Sequence, residues 1–272
     1  MFKLILLFTG IFLITSCRKD KVIPKDNLKT DFLVIGHAYG NPLVYKLSLY
    51  EKLIPTLASF STFIKPDKYI FTGDVVAKPT QENWTNVLNQ FDSLNINYWI
   101  APGNHDLGSD YFLNHIQDKP FFSYRSKSNL FLILNTNFPG WTVDQDQIDL
   151  IQAELGNLNS IQNIFVFSHQ VWWAKTADSP YNMEEIETNA YYLINGPTSF
   201  WTDAFPIFEN TNIATYFFAG DVGALDFRTA YNEQHFENFH FYASGVGGGI
   251  DDNILYIKTY DSGKVVIEKF NF

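Results

Sequence analysis

Five stretches of this chain end in the same way: a short run stops at Gly or Ser, and a residue able to hold a cation follows. They are Ile35-Gly36-His37, Thr72-Gly73-Asp74, Pro102-Gly103-Asn104-His105, Phe167-Ser168-His169 and Ala219-Gly220-Asp221. The runs ahead of them are Phe32 to Ile35, Lys68 to Thr72, Ile96 to Ala101, Asn163 to Ser168 and Ala214 to Ala219. Each is short, apolar and rich in β-branched or aromatic residues, so each reads as a buried strand. Helical stretches fall between the first three: Leu43 to Phe60, with Pro55 as an interruption, and Glu82 to Leu94. Strand and helix in alternation predict layered α/β structure with crossover connections. In an open α/β sheet the C-terminal strand ends gather at one rim, where sites form. One His or Asp after a strand is ordinarily a capping residue. Five at equivalent positions call for a shared reason.

The rest of the chain adds sheet. Phe121 to Arg125 and Leu130 to Asn135 read as strands joined by a turn at Ser126 to Asn129, and Asp144 to Leu155 as an amphipathic helix. From Phe239 onward, alternating strands surround a Gly-rich turn at Gly245 to Gly249 and a hairpin at Asp261-Ser262-Gly263-Lys264. Both ends of the chain therefore supply strands. The predicted class is α/β (α+β layered): a four-layer α/β/β/α sandwich of two mixed sheets flanked by helices. No repeat or Pro/Gly/Ser-rich linker divides residues 31–272, which are expected to form one domain.

Hydrophobic residues at 46% and aromatics at 17% are enough to fill a large core. The formal charge of −10 makes a nucleic-acid polymer an unsuitable partner, while an anionic substrate held by a cation stays compatible. Lys3, the apolar stretch Leu4 to Leu13, and Ile14-Thr15-Ser16-Cys17 open the chain. This segment resembles a bacterial lipoprotein signal. The resemblance implies removal of residues 1–16, a lipid on Cys17 that anchors the chain to a membrane, and a place in the bacterial cell envelope. Arg18 to Thr30 is polar and charged and reads as a tether, so 17–30 precedes the domain. Cys17 is the sole cysteine, so no intramolecular disulfide can form.

Carboxylate, imidazole and amide donors at one rim suit a cation such as Mn, Zn or Fe. With these residues in order, the chain resembles the calcineurin-like metallophosphoesterases. Gly73-Asp74 looks like that family's GD motif, and Gly103-Asn104-His105-Asp106 matches its GNH(D/E) motif. His169 fits its lone histidine, Val143 to Leu155 its preceding helical segment, and Ser244 to Gly249 its late Gly-rich turn. Two motifs depart. The family's Asp-x-His is His37-Ala38-Tyr39 here, and its Gly-His-x-His is Gly220-Asp221-Val222-Gly223. The resemblance implies one complete ligand set, Asp74, Asn104, His169 and Asp221. A second set, His37, Tyr39, Asp74 and Gly223, keeps only two ordinary ligands. Tyr39 is a possible ligand as a phenolate, to a strongly acidic ion such as Fe³⁺. One well-formed metal site and a weak, altered or empty second site are therefore expected.

The implied activity is hydrolysis of a phosphomonoester or phosphodiester by metal-bound hydroxide. His105 would protonate the leaving oxygen or stabilise the transition state, with Asp106 orienting its ring. Arg228, one of three arginines, is the candidate to substitute for a missing cation, against the ordinary role of a surface ion pair. The segment between His169 and Asp221 carries Trp172, Trp173, Tyr181, Tyr191, Tyr192 and Trp201. Such aromatics either staple a long loop to the core or wall a site for a sugar or nucleobase; Trp172 and Trp173, closest to His169, are the candidates for ligand contact. The substrate is expected to be a phosphoester-containing small molecule or glycan. The competing reading is a degenerate member of the fold that binds a glycan or a surface partner. His115, His235 and His240 have no partner pattern and are read as structural or surface residues.

Overall fold

A computed structural model describes residues 26–44, 46–174, 177–189, 199–225 and 229–272. Lys3, Cys17, Tyr191, Tyr192 and Arg228 lie outside the described residues. The strands are β1 (Leu28–Gly36), β2 (Lys68–Thr72), β3 (Tyr98–Ile100), β4 (Phe122–Ser126), β5 (Asn129–Ile133), β6 (Asn163–Ser168), β7 (Ala214–Ala219), β8 (Tyr231–Phe236), β9 (Phe239–Ser244), β10 (Asn253–Tyr260) and β11 (Val265–Asn271). The helices are α1 (Leu53–Ser59), α2 (Gln81–Ser93), α3 (Gln145–Leu155) and α4 (Phe205–Glu209).

The strands form two mixed sheets, in the orders β11-β10-β1-β2-β3 and β4-β5-β6-β7-β9-β8. Strand alternation sorts the side chains into three layers of core. Phe32 and Val34 of β1 face the second sheet, meeting Phe131, Phe165 and Phe167, while Leu33 and Ile35 face the helices. The ring of Phe32 makes edge contacts with Phe131 and Phe165 at 5.4 and 5.1 Å. Outside the first sheet, α1 and α2 bury Leu53, Leu57, Trp84, Val87 and Phe91. Outside the second, Ile151 of α3 packs with Phe200, Phe205 and Phe208. The four layers expected from sequence follow from these three cores.

Helix starts are set by side-chain caps. Thr80 accepts the Asn83 amide at 3.2 Å ahead of α2, and Asp144 accepts the Gln147 amide at 3.1 Å ahead of α3. Several boundaries differ from expectation. The helix expected over Leu43 to Phe60 is only α1, continued by a π-helical turn at Phe60–Ile64. Pro55 is the third residue of α1 and does not interrupt it, because the first turn has no intrahelical acceptor for its missing N–H. β1 begins at Leu28, inside the stretch assigned to the tether, and pairs Leu28 with Tyr260. β8 was not expected: its sequence Tyr-Asn-Glu-Gln-His-Phe is polar because it is an edge strand, paired only to β9.

Candidate metal centre

The parallel pairs put the functional strand ends side by side. Gly36 of β1 is in register with Thr72 of β2, and Ser168 of β6 with Ala219 of β7. At this rim the two sheets touch backbone to backbone. A Cβ on Gly36 would stand 2.0 Å from the Ser244 carbonyl oxygen, and one on Gly220 2.1 Å from that of Thr72. A Cβ on Gly73 would fall 2.4 Å from Nδ1 of His169. Gly36, Gly73 and Gly220 are therefore fixed by the approach of one sheet to the other, whereas Gly103 is fixed by Asp74 beside it, a Cβ there standing 2.2 Å from Oδ1. His37 and Asp74 both take left-handed backbone angles, φ 51° and 52°, uncommon for residues with a Cβ and typical of functional turns.

Four side chains converge there, in the order imidazole, carboxylate, imidazole, carboxylate. His37 Nε2 lies 3.5 Å from Asp74 Oδ2, His169 Nε2 3.3 Å from Asp74 Oδ1, and His169 Nε2 3.9 Å from Asp221 Oδ1. All four are buried. The other ring nitrogen of each histidine meets a carbonyl: His37 Nδ1–H donates to Val246 at 2.9 Å, and His169 Nδ1–H to Thr72 at 3.0 Å. A carbonyl only accepts, so both Nδ1 atoms carry hydrogen and each neutral ring turns an Nε2 lone pair toward Asp74. Among the described residues His169 Nε2 has no hydrogen-bond partner.

Lone pairs facing a carboxylate repel unless a proton or a cation lies between them. Separations of 3.3 and 3.5 Å are those of neighbouring ligands on a tetrahedral cation bound at roughly 2.0–2.1 Å. Carbonyl-anchored imidazoles are also the usual outer support of metal-bound histidines. Among the described residues no group of three or more His, Cys, Asp or Glu side chains is gathered closely enough to hold a metal ion, and Asp74 serves as the hub of pairs. By its chemistry, a set of carboxylates and imidazoles suits a transition-metal ion.

Electrostatics without an ion reflect the same crowding. Burial depresses His37 to about 4, partly opposed by Asp74. Burial also works against a charged His169, but Asp74 and Asp221 outweigh it and its pKa is raised. Burial lifts Asp221 to about 7, with His169 opposing and Asp74 adding to the rise. Three of the four groups thus sit away from their ordinary values, as expected where one cation would replace shared protons.

The other expected residues divide. Asn104 is exposed at the rim, next to His105, whose backbone amide donates to Asp74 Oδ1 at 3.2 Å. His105 is half-buried, and its Nδ1–H donates to the Ala77 carbonyl at 2.8 Å. Asp106 does not orient that ring. Its buried carboxylate accepts the amides of Val75 (2.8 Å), Val76 (3.2 Å) and Gly103 (2.8 Å), clamping the Asp74 turn to the Asn104 turn. Tyr39 is buried with its ring 4.5 Å from that of His37 and 5.2 Å from that of His105. Burial and the carboxylates of Asp74, Asp221 and Asp106 raise its pKa, which opposes the phenolate that ligation would need.

Trp172 and Trp173 are corrected. They are 0% and 1% exposed and pack on Phe200 at 5.0 and 6.1 Å, so neither is open to a ligand. They belong to the core that holds the long segment down.

Sequence reasoning missed the carbonyls of Val246 and Thr72, because a backbone acceptor leaves no residue signature. It also missed Asp252, whose buried carboxylate accepts the amides of Gly247, Gly248 and Gly249 at 2.8, 2.9 and 3.2 Å. That contact fixes the turn presenting Val246 to His37. An acidic residue just beyond a Gly-rich turn was the available signal.

Comparison with known proteins gives a family and distant fold resemblances. Among curated proteins none matches. A conserved uncharacterized protein of Streptococcus pneumoniae TIGR4, a predicted phosphoesterase, aligns at 8% identity over 90% of this chain and 99% of its own, with a TM-score of 0.35. A double mutant of Vps29 from Entamoeba histolytica aligns at 9% identity over 89% and 99%, with a TM-score of 0.36. The wild-type Vps29 of the same organism, complexed with Zn²⁺, aligns at 8% identity over 89% and 98%, with a TM-score of 0.35. Residues 46–220 match the model of the calcineurin-like phosphoesterases, and the chain belongs to that family.

Proposed function

We propose that the protein is a metal-dependent hydrolase of phosphoric monoesters or diesters, held by a lipid on Cys17 in a bacterial cell envelope. The observation that supports the activity most is the convergence of two Nε2 lone pairs and Asp221 around Asp74. His37, Asp74, His169 and Asp221 would hold one ion, with Asn104 at the exposed side. Bound there, the ion supplies Lewis-acid charge to a phosphoryl oxygen and acidifies water. The departures from the family motifs thus merge into one site: His37 joins the set that keeps Asp74, His169 and Asp221.

His105 handles the proton. The Ala77 carbonyl keeps hydrogen on Nδ1 in both charge states, so Nε2 is the atom that gains and loses the mobile proton. Half-buried beside the donor set, it can deliver that proton to a leaving alkoxide. Tyr39 stands between His37 and His105 as a rigid wall. The substrate would be a small phosphoester or a phosphorylated glycan; the net charge of −10 disfavours long nucleic acid.

The test is metal analysis of the purified protein, with turnover of a chromogenic phosphodiester across added Mn²⁺, Zn²⁺ and Fe²⁺. His105→Ala should retain the metal and lose roughly 10²–10⁴-fold in kcat. No bound metal and no metal-stimulated turnover would refute the activity. Metal binding with turnover indifferent to His105→Ala would favour the binding-module reading. For the anchor, labelled fatty acid should enter the wild-type chain and not Cys17→Ser.

A further inference from the structure

Glycine contacts join the sheets on one side of the rim; on the other side the join is made by amides. The turn that carries Asn104 and His105 follows β3, a three-residue strand at the edge of its sheet. Asp106 and the His105 amide tie that turn to the Asp74 turn of the same sheet. Its tie to the second sheet is separate. Asn137, past the end of β5, donates Nδ2–H to the Pro102 carbonyl at 2.8 Å. Among the described residues this is the one hydrogen bond that reaches residues 101–106 from the second sheet's side.

Behind Asn137 stands a chain of buried polar groups. A carbonyl only accepts, so the Asn137 nitrogen must face Pro102, and its Oδ1 accepts Gln170 Nε2–H at 2.8 Å. Gln170 is the residue after His169 and is 2% exposed. The Thr136 hydroxyl fixes it in turn, donating to Gln170 Oε1 and accepting the Gln170 backbone amide at 3.2 Å. The second Nδ2 hydrogen of Asn137 goes to Asn135 Oδ1 at 2.7 Å. Gln147 of α3 holds Asn135 by its backbone N–H and C=O, at 2.8 and 2.9 Å. Thr136 and Gln147 are fully buried. Placing amides where apolar side chains would pack costs desolvation that only complete pairing offsets, so such a network specifies a position more than it adds stability.

We propose that Asn137, backed by Gln170, is a positioning residue that fixes the His105 turn relative to His169. The proposal rests on the proton-transfer role given to His105 above. The candidate ligands come from both sheets, His37 and Asp74 from one and His169 and Asp221 from the other, whereas His105 hangs from a short edge strand of the first alone. Its Nε2 can serve a phosphoryl group held at those ligands only if the turn keeps its place against the second sheet. The Gln170–Asn137–Pro102 chain sets that place, and Asn137 itself moves no proton.

Asn137→Asp tests this, because it keeps shape and the contact to Gln170 but sets an oxygen against the Pro102 carbonyl. Turnover of a chromogenic phosphodiester by the metal-loaded protein should fall about tenfold, mostly in kcat, with metal affinity within about twofold of wild type. In a His105→Ala background the same change should cost less than about twofold, because the turn no longer carries the acid. Histidine-selective NMR of the metal-free protein reads placement without turnover: the His105 ring signals should shift in Asn137→Asp, and those of His235, on β8, should not. Equal losses in both backgrounds, or unmoved His105 signals, overturn the proposal. A fall in metal affinity that accounts for the lost turnover also overturns it, since Asn137 would then support His169 instead of His105. If the wild type hydrolyses no phosphoester, the esterase reading fails and the His105 signals alone decide the placement. Should Asn137→Asp fail to fold, Gln170→Glu, which sets an oxygen against Asn137 Oδ1 one step further back, should show the same pattern at smaller size.

Discussion

Gly220→Ala is the sharpest probe of how this fold makes its site. Gly220 follows β7 of one sheet, and its neighbours across the rim belong to the other: the Thr72 carbonyl oxygen, the Thr72 hydroxyl and the Gly36 Cα. A Cβ would stand 2.1 Å from the first and 2.9 Å from the last. The first contact falls more than 1 Å inside the 3.4 Å where ordinary contact begins, and backbone cannot swing away as a side chain can. Overpacking costs about 1–3 kcal/mol, and two backbone neighbours place this case near ~3. For a domain of this size each kcal/mol lowers Tm by roughly 2–4 °C, so a fall of about 6–12 °C is expected. The rim must open by about 1 Å, carrying Asp221 and His169 away from Asp74 and His37, and displacements of that size commonly cost ~10²-fold in rate. Differential scanning calorimetry with EDTA isolates the packing term, and metal titration with a phosphodiester assay reads the site. A variant with unchanged Tm and metal affinity would refute the claim that sheet contact at this glycine sets the ligand geometry.

Two further perturbations separate support from chemistry. Asp252→Asn keeps shape but puts an amide nitrogen against one of three backbone donors; a hydrogen bond to a charged group is worth about 1.5–3 kcal/mol. Stability in denaturant should fall by that order, and metal affinity with it through the Val246–His37 contact; loss of stability alone would contradict the link. His240 stacks on Tyr216 at 4.6 Å, and burial with its neighbour His235 holds its pKa down at about 4. A depressed histidine contributes stability above its unfolded value of 6.5 that disappears as pH falls toward about 4. His240→Phe, which keeps the stack, should therefore flatten the drop of Tm across that interval; equal slopes for variant and wild type would contradict it.

The strand ends were legible in the sequence because close sheet contact and a polar rim both leave residue signatures, a glycine and then a carboxylate or imidazole. β2, β6 and β7 match their expected bounds, since short apolar runs between punctuating residues have few alternatives. Legibility fails where a side chain's partner is backbone. Asp106 looked like a partner for the adjacent His105, yet a carboxylate three residues past Gly103 reaches that residue's amide instead. Trp172 and Trp173 come three and four residues after His169 in sequence, but the chain turns at once and a near neighbour in sequence becomes core. Proximity along the chain says which residues are near the site, and only packing says which way they are used.

The exchange of Asp for His in the first motif, and of His for Asp in the last, gives a final prediction. The alternating order His37, Asp74, His169, Asp221 carries two carboxylates and two imidazoles, so the exchange preserves the charge of the donor set. Preserving charge does not make it reversible. His37 donates Nδ1–H to the Val246 carbonyl, and Asp in its place would set a carboxylate oxygen against a carbonyl oxygen. It would also add a third carboxylate to a buried group that already disfavours the charge on Asp221. His37→Asp should therefore lose about 1–3 kcal/mol from the unsatisfied carbonyl alone, measured by denaturation in EDTA. Adding Asp221→His removes the extra charge but not the orphaned carbonyl, so the double variant should recover metal affinity more than it recovers stability. Full recovery of both would mean that Val246 plays no part in placing His37, and that the motif exchange is a neutral permutation around Asp74.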